Sequence, residues 1–410
     1  MDVLKNYAFT LCLLTGILIG GICGIVFGES TLVVKPIGDI FLNLMFVLIV
    51  PLVFLSVSSA ICNMRQSKMV GRVIVNILLV FLCTAIIAAL VAYFFTRAYN
   101  PLESIDINDI TSTLPEQTLK KLTTGEVLVN TLTVSDFQFL FTKSNLLPLI
   151  IFSVFFGVAT AMSGEKGKLV SDLLNAANNV ILKMMDVIMY AAPIGLGCYF
   201  AYTVGQLGSQ ILNGYLQVFI LYLLLTVLSF FVLNSIYMLI AGGKKAFFAF
   251  WKNILTPSLM AVATSSSAAC IPVNIESAKK IGVPENIAET IIPLGTNIYK
   301  IGSVIGGVLK IFFLFAVFGG AVSTNDVLAV VGVALLVGIV MGAIPSGGMT
   351  GELLICSVFG FIPELAGALM IISTIIDIPA TLLNSTGNVV SSVLVTRLTE
   401  GKSWVKSLAK

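Results

Sequence analysis

Ile292-Pro-Leu-Gly-Thr-Asn-Ile-Tyr-Lys-Ile-Gly-Ser303 lies between long apolar runs, which puts it at membrane depth. Pro293, Gly295, Asn297, Gly302 and Ser303 make it a poor unbroken helix. Irregular backbone survives inside a bilayer only where protein buries it or a wet cavity borders it. A lysine at that depth is costly and marks a functional position. The stretch around Tyr299 and Lys300 therefore reads as the unwound middle of a broken helix that forms part of a solute site.

Composition agrees with that depth. Of 410 residues, 58% are hydrophobic and 10% are charged, which describes a polytopic helical membrane protein and not a soluble domain. Continuous apolar runs, in place of short alternating ones, argue against a transmembrane barrel. The formal charge of +3 comes with no basic tract, so no nucleic-acid partner is expected. Seven cysteines lie singly in apolar segments and there is no histidine. They read as small buried hydrophobes, and transition-metal chemistry is not expected. No nucleophile–base pair or phosphate motif accompanies the spans, so the chain does not read as an enzyme and no cofactor is expected.

Outward from the broken centre, the runs Tyr7–Phe27, Asp39–Ile61, Val73–Phe95, Asn145–Met162, Leu174–Tyr202 and Leu212–Ile240 read as six crossings. The first is long enough to span and lacks an Ala-x-Ala site, so it reads as a helix and not as a signal peptide. Asn100–Asp136 reads as an extramembrane excursion, and Glu165–Lys168 as a charged turn. Phe247–Val273, with Ser265-Ser-Ser267, reads as a re-entrant hairpin. Ile287–Ala321 holds the broken centre, and Val327–Phe361 is a second hairpin divided at Gly342–Gly348. Leu365–Val395 is the last span. The expected fold is thus all-α, with eight transmembrane helices and two re-entrant hairpins. Two interrupted segments in corresponding places point to inverted repeats with a site at their interface. Lysines and arginines such as Lys5, Arg65, Arg72, Lys166, Lys244, Lys279 and Arg397 fall on one side, and Lys35, Arg97, Lys120, Lys121 and Lys143 on the other. The first side is the cytoplasmic one by the positive-inside rule, with both termini inside a cell membrane.

Asp377, Thr381, Asn384 and Asn388 recur at i, i+4, i+7 and i+11, a polar stripe on an otherwise apolar helix. Such a stripe faces a cavity or another polar element; interhelical hydrogen bonding is the plainer alternative for Thr381 or Asn384 taken alone. The serine run presents hydroxyls and, at a helix start, backbone N–H groups to an anion. Gly342–Gly348 forms the opposite tip. Lys183 and Asp186, at i and i+3, read as a structural pair, and Lys310 has no assigned role.

With these residues in view, the chain resembles the glutamate transporter family, the dicarboxylate/amino acid:cation symporters, over almost its full length. Gly71-Arg-Val, Ala191-Ala-Pro-Ile-Gly, Ser266-Ser-Ala-Ala-Cys-Ile-Pro-Val-Asn, Ile292-Pro-Leu-Gly and Asp377…Thr381…Asn384-Ser-Thr-Gly-Asn388 carry the resemblance. Their wording is nearest to the serine/threonine branch. The resemblance implies a homotrimer in the lipid bilayer working as an elevator. Residues 1–70 and the helices within 101–205 would be the scaffold, and residues 71–100 and 206–410 the transport domain. It implies that Asp377 holds a substrate ammonium, that Ser266, Ser267, Ser303, Thr381 and Asn384 surround the substrate, and that Ile344 and Gly348 close over it.

The departures from the family pattern are equally specific. Ala380 and Ser265 stand where acidic-substrate members carry an arginine, which favours a small neutral amino acid; Lys300 serving as the anion partner is the dicarboxylate alternative, and an anion-conducting channel is a third. In the coupling-cation region (Thr84, Gly295, Asn297, Tyr299, Lys300, Ile301, Asn384, Asn388), Tyr299, Ile301 and Asn388 replace family sodium ligands, and Phe81 and Ala85 replace two more. The sodium sites read as degraded, with Lys300 as a tethered replacement cation. A proton or sodium ion remains the expected co-transported species.

Overall fold

The computed structural model describes residues 2–66, 71–99, 133–142, 145–207, 210–318, 326–341 and 348–401, with Val322 and Trp404 besides. Among the described residues the regular structure is helical, as a bilayer demands of a chain that must satisfy its own backbone. In order come α1 (Asp2–Phe27), a 3-10 turn (Gly28–Val34), α2 (Lys35–Gln66) and α3 (Gly71–Tyr99). Then follow α4 (Leu146–Met162), α5 (Gly164–Met189), α6 (Ala192–Leu207), α7 (Gln210–Val227) and α8 (Asn234–Asn253). The remainder is α9 (Leu255–Thr264), α10 (Ile271–Ile281), α11 (Glu285–Ile298), α12 (Ile301–Phe318), α13 (Val327–Val340), α14 (Gly348–Phe359) and α15 (Ala366–Glu400).

Among the described residues five helical stretches are long and apolar enough to cross a membrane, or six if the bent pair α5–α6 counts as one span. The eight crossings expected from the sequence are a finer division than this. The short helices α9 and α10, and α13 and α14, occupy the two stretches read as hairpins. Residues 342–347, which include Ile344, lie outside the described residues, as does most of the Asn100–Asp136 excursion.

Two expectations need correction. Leu174–Tyr202 is not one straight helix: α5 and α6 meet at a 61° bend. Pro193, the second residue of α6, has no N–H with which to continue a helix from α5. Leu212–Ile240 lies within one candidate span, Ile211–Asn253, in which a π-helical turn, Leu228–Leu233, joins α7 to α8. Farther on, α8 kinks at Gly242 and Gly243, the latter at φ +66, where only glycine is at ease. Glu165–Lys168 belongs to the first turn of α5 and is not a loop.

The long helix α15 is the central strut, buried along most of its length. Helices α3, α7, α8, α9, α10, α11, α12 and α14 all pack against it. Helices α1 and α6 pack together, and α2 lies against α4, α5 and α6. The α1–α6 crossing is close because both faces are small: a Cβ on Gly16 would stand 2.3 Å from the Pro193 carbonyl oxygen, and one on Gly20 2.2 Å from that of Gly197. Small residues let helices approach where lipid supplies no hydrophobic drive.

Candidate solute site

The predicted break exists but is short. α11 ends at Ile298 and α12 starts at Ile301, so only Tyr299 and Lys300 are unwound, and Pro293 and Gly295 stay inside α11. The backbone groups freed near the break find side-chain partners on other helices. The Gly302 N–H donates to Asn384 Oδ1 of α15 at 2.8 Å, and the Gly302 carbonyl accepts from the Tyr222 hydroxyl of α7 at 2.9 Å. Buried backbone groups require such partners. The contact is tight enough that a Cβ on Gly302 would lie 2.5 Å from the Ala380 carbonyl oxygen.

Three elements bring polar groups to this break. From α12 come Lys300, just before its first turn, and Ser303; from α15 come Asp377, Thr381 and Asn384; from the α9–α10 turn come Ser265, Ser266 and Ser267. Lys300 is 6% exposed and donates to Ser267 Oγ at 3.4 Å. Asp377 is half-buried and close enough to Lys300 for their charges to interact, although the two do not form a direct ion pair among the described residues. Asn384 Nδ2 donates to Ser303 Oγ at 3.5 Å, and Thr381 Oγ1 donates to the Ser265 carbonyl at 3.5 Å. Ser265 itself adopts φ +47, left-handed for a residue with a side chain. Its hydroxyl is buried without a hydrogen-bond partner among the described residues. Ser266 Oγ is engaged locally, accepting from the Ala269 N–H at 3.3 Å.

The residues assigned to the coupling cation have different surroundings. Tyr299 is buried, and its ring meets Phe81 of α3 with centroids 4.9 Å apart. A Cβ on Gly387 would come within 2.5 Å of the Tyr299 ring and 3.2 Å of Ile301. Thr84 turns its hydroxyl back onto α3, donating to the Val80 carbonyl at 2.7 Å. Asn388 is fully buried, and its amide oxygen and nitrogen have no partner among the described residues. The Asn388 oxygen lies 2.2 Å from where a Cβ on Gly295 would stand. Among the described residues, aromatic and aliphatic carbon packs here beside the uncommitted Asn388 amide and Tyr299 hydroxyl, whereas a hard cation takes several oxygens and favours carboxylates. Asn297 lies within α11, and Gly348 is the first residue of α14.

Sequence reasoning left out one cluster. Lys310 of α12, 1% exposed, forms an ion pair with Glu352 of α14, which is fully buried. Lys310 also donates to Ser373 Oγ of α15, and that hydroxyl donates to Glu352 Oε1 at 2.6 Å. The available signal was Glu352 itself, a lone carboxylate in the apolar run of the second hairpin. A second missed contact is Asn274 of α10, whose amide donates to the Ser385 carbonyl at 3.2 Å and to Ser385 Oγ at 3.0 Å. Lys183 and Asp186 do pair, at 2.9 Å, on an exposed face of α5.

The sequence as a whole has relatives among known proteins. The sequence pattern of the Sodium:dicarboxylate symporter family matches residues 9–398. The C4-dicarboxylate transport protein of Agrobacterium fabrum is 28% identical over 394 residues, covering 94% of this chain and 86% of the relative. The protein of the same name from Bacillus subtilis is 27% identical over 340 residues, covering 82% of this chain and 80% of its own length. C4-dicarboxylate transport protein 1 of Mesorhizobium japonicum is 28% identical over 396 residues, covering 94% and 81%. None of these supports the neutral amino acid or the serine/threonine wording. A membrane chain matched from residue 9 to residue 398 by that pattern belongs to the sodium:dicarboxylate symporter family.

Proposed function

We propose that this chain is a secondary carrier for a small dicarboxylate, with the Lys300 ammonium taking one of the substrate's carboxylates. The observation that carries this reading is the contrast between two buried lysines. Lys310 has its own carboxylate, Glu352, and a hydroxyl. Lys300 is nearly as buried, and among the described residues its partners are Ser267 Oγ at 3.4 Å and a more distant Asp377. An ammonium in the bilayer interior needs an anion, and a substrate carboxylate beside Ser267 would supply it. The arginine replaced by Ala380 and Ser265 is then not required. The relatives' names, C4-dicarboxylate transport protein, support the same substrate class.

In this reading Asp377 cannot remain a bare carboxylate beside a dianion, since like charges this close cannot both stay ionised at low cost. A proton taken up on Asp377 travels with the substrate, and sodium has no part. The packed Tyr299, Phe81 and Ile301 and the neutral Asn388 support the loss of sodium. The resemblance supports the remaining assignments: a homotrimer, a scaffold of α1, α2, α4, α5 and α6, and a moving body of α3 and α7–α15 that shifts as an elevator with both termini in the cytoplasm.

Purified protein in liposomes tests the reading. Succinate uptake is expected to be saturable, to proceed without sodium, to rise with an inward proton gradient, and to be inhibited by malate but not by serine. Strict sodium dependence would overturn the coupling, and inhibition by serine but not by malate would restore the neutral amino acid favoured by Ala380 and Ser265. Currents that never saturate would identify a channel.

A further inference from the structure

We propose that Lys310, Glu352 and Ser373 are positioning residues: they fix the register of α12 against α15 and so set the distance between Lys300 and Asp377. The proposal rests on the reading of those two residues as the substrate site. Helices α12 and α15 run side by side, with Gly302 against the Ala380 carbonyl and Gly306 against Ile376. Lys310 lies ten residues after Lys300, about 15 Å along the helix. Ser373 precedes Asp377 on α15 by one turn. The buried pair and the site are thus two cross-links on one helix interface.

Glycine-lined apolar faces hold their register by van der Waals contact alone, since in lipid no hydrophobic force adds to it. A buried ion pair adds resistance to sliding, since separating the charges leaves each unpaired in a medium that cannot solvate them. Glu352 comes from a third helix, α14, so the same contact ties the second arm of the second hairpin to the pair. The opposite arm, α13, is apolar throughout and holds to α12 by carbon contacts, such as Gly307 against Ala334. The pair is not arranged for greatest stability. Glu352 Oε2 has no hydrogen-bond partner among the described residues, and apolar replacements of such pairs are often as stable or more so. Its role is better sought in placement than in stability.

Three variants, Lys310→Met/Glu352→Leu, Glu352→Gln and Ser373→Ala, are compared with the unaltered full-length chain in liposomes. Initial uptake is measured against concentration for succinate, aspartate and serine, and thermal unfolding is followed in parallel. The double variant is expected to unfold at or above the original temperature while its KM for the transported substrate rises roughly tenfold or more, as misplaced binding groups require. Glu352→Gln, which leaves Lys310 charged and unpaired, is expected to lower both stability and affinity. A double variant with unchanged KM overturns the proposal. If the double variant does not fold, Ser373→Ala decides, because it keeps the ion pair and cuts the link to α15. Its KM is expected to rise about fivefold, in proportion to one hydrogen bond, and an unchanged KM overturns the proposal. Failure of the dicarboxylate reading is seen separately, as serine uptake without succinate uptake by the unaltered chain; the comparison of KM then proceeds with serine.

Discussion

Lys300 and Lys310 stand on one broken span, and the difference in their partners gives the site its charge. Replacing Lys300 with methionine keeps the volume and removes the ammonium. Succinate uptake is expected to fall at least about thirtyfold, the cost of removing one member of a buried charge pair, with thermal stability retained. Undiminished uptake by Lys300→Met would end the dicarboxylate reading. Asp377→Asn tests the partner. Uptake by the unaltered protein is expected to rise as external pH falls, because a protonated Asp377 accepts the dianion. The asparagine variant, already neutral, is expected to transport with a flat pH profile. Asn384→Leu removes the acceptor of the Gly302 N–H at the break. An unsatisfied buried donor costs about 1–3 kcal/mol, so the unfolding temperature is expected to drop together with uptake.

At the scale of elements, irregular segments occur where side chains from neighbouring helices can satisfy them. The break at Tyr299 and Lys300 is held by Asn384 and Tyr222. The first hairpin is held by Asn274 on Ser385. The α1–α6 crossing depends instead on the absence of side chains. Gly20→Leu would drive a side chain into the Gly197 carbonyl, 2.2 Å from the new Cβ. Overpacking of this kind costs roughly 1–3 kcal/mol or more, read as a lowered unfolding temperature in detergent. Leu18→Ala, at an exposed apolar position on the same helix, is expected to leave it unchanged. Equal stability of the two variants would show that the crossing is not tight.

Over the whole molecule, α15 carries the polar stripe, receives α9, α10 and α14, and packs on α3, α7 and α12. Groups gathered on one strut can travel together, which suits a carrier that moves its site as a body. Cysteines at Gly307 and Ala334, whose Cβ positions lie 3.5 Å apart, would join α12 to α13. Under the elevator proposal this cross-link within the moving body is expected to be tolerated in transport more readily than one between α6 and α15, which contact each other across the two groups of helices. Equal loss in both would argue against a body that moves as one.

The sequence by itself established a helical membrane protein, the order of its apolar runs, the two interrupted segments and the stripe Asp377, Thr381, Asn384 and Asn388. Periodicity and span length are local properties, and each helix in lipid must close its own hydrogen bonds. Lys300 and Lys310 stand out in the sequence because each is a charge in an apolar run. The bend between α5 and α6, the shortness of the break and the π-helical turn were not legible, since neighbouring helices decide where a helix yields. The Lys310–Glu352–Ser373 cluster joins three helices far apart in sequence. Only tertiary packing shows that Lys310 carries its own counter-charge, whereas Lys300 has no ion pair among the described residues.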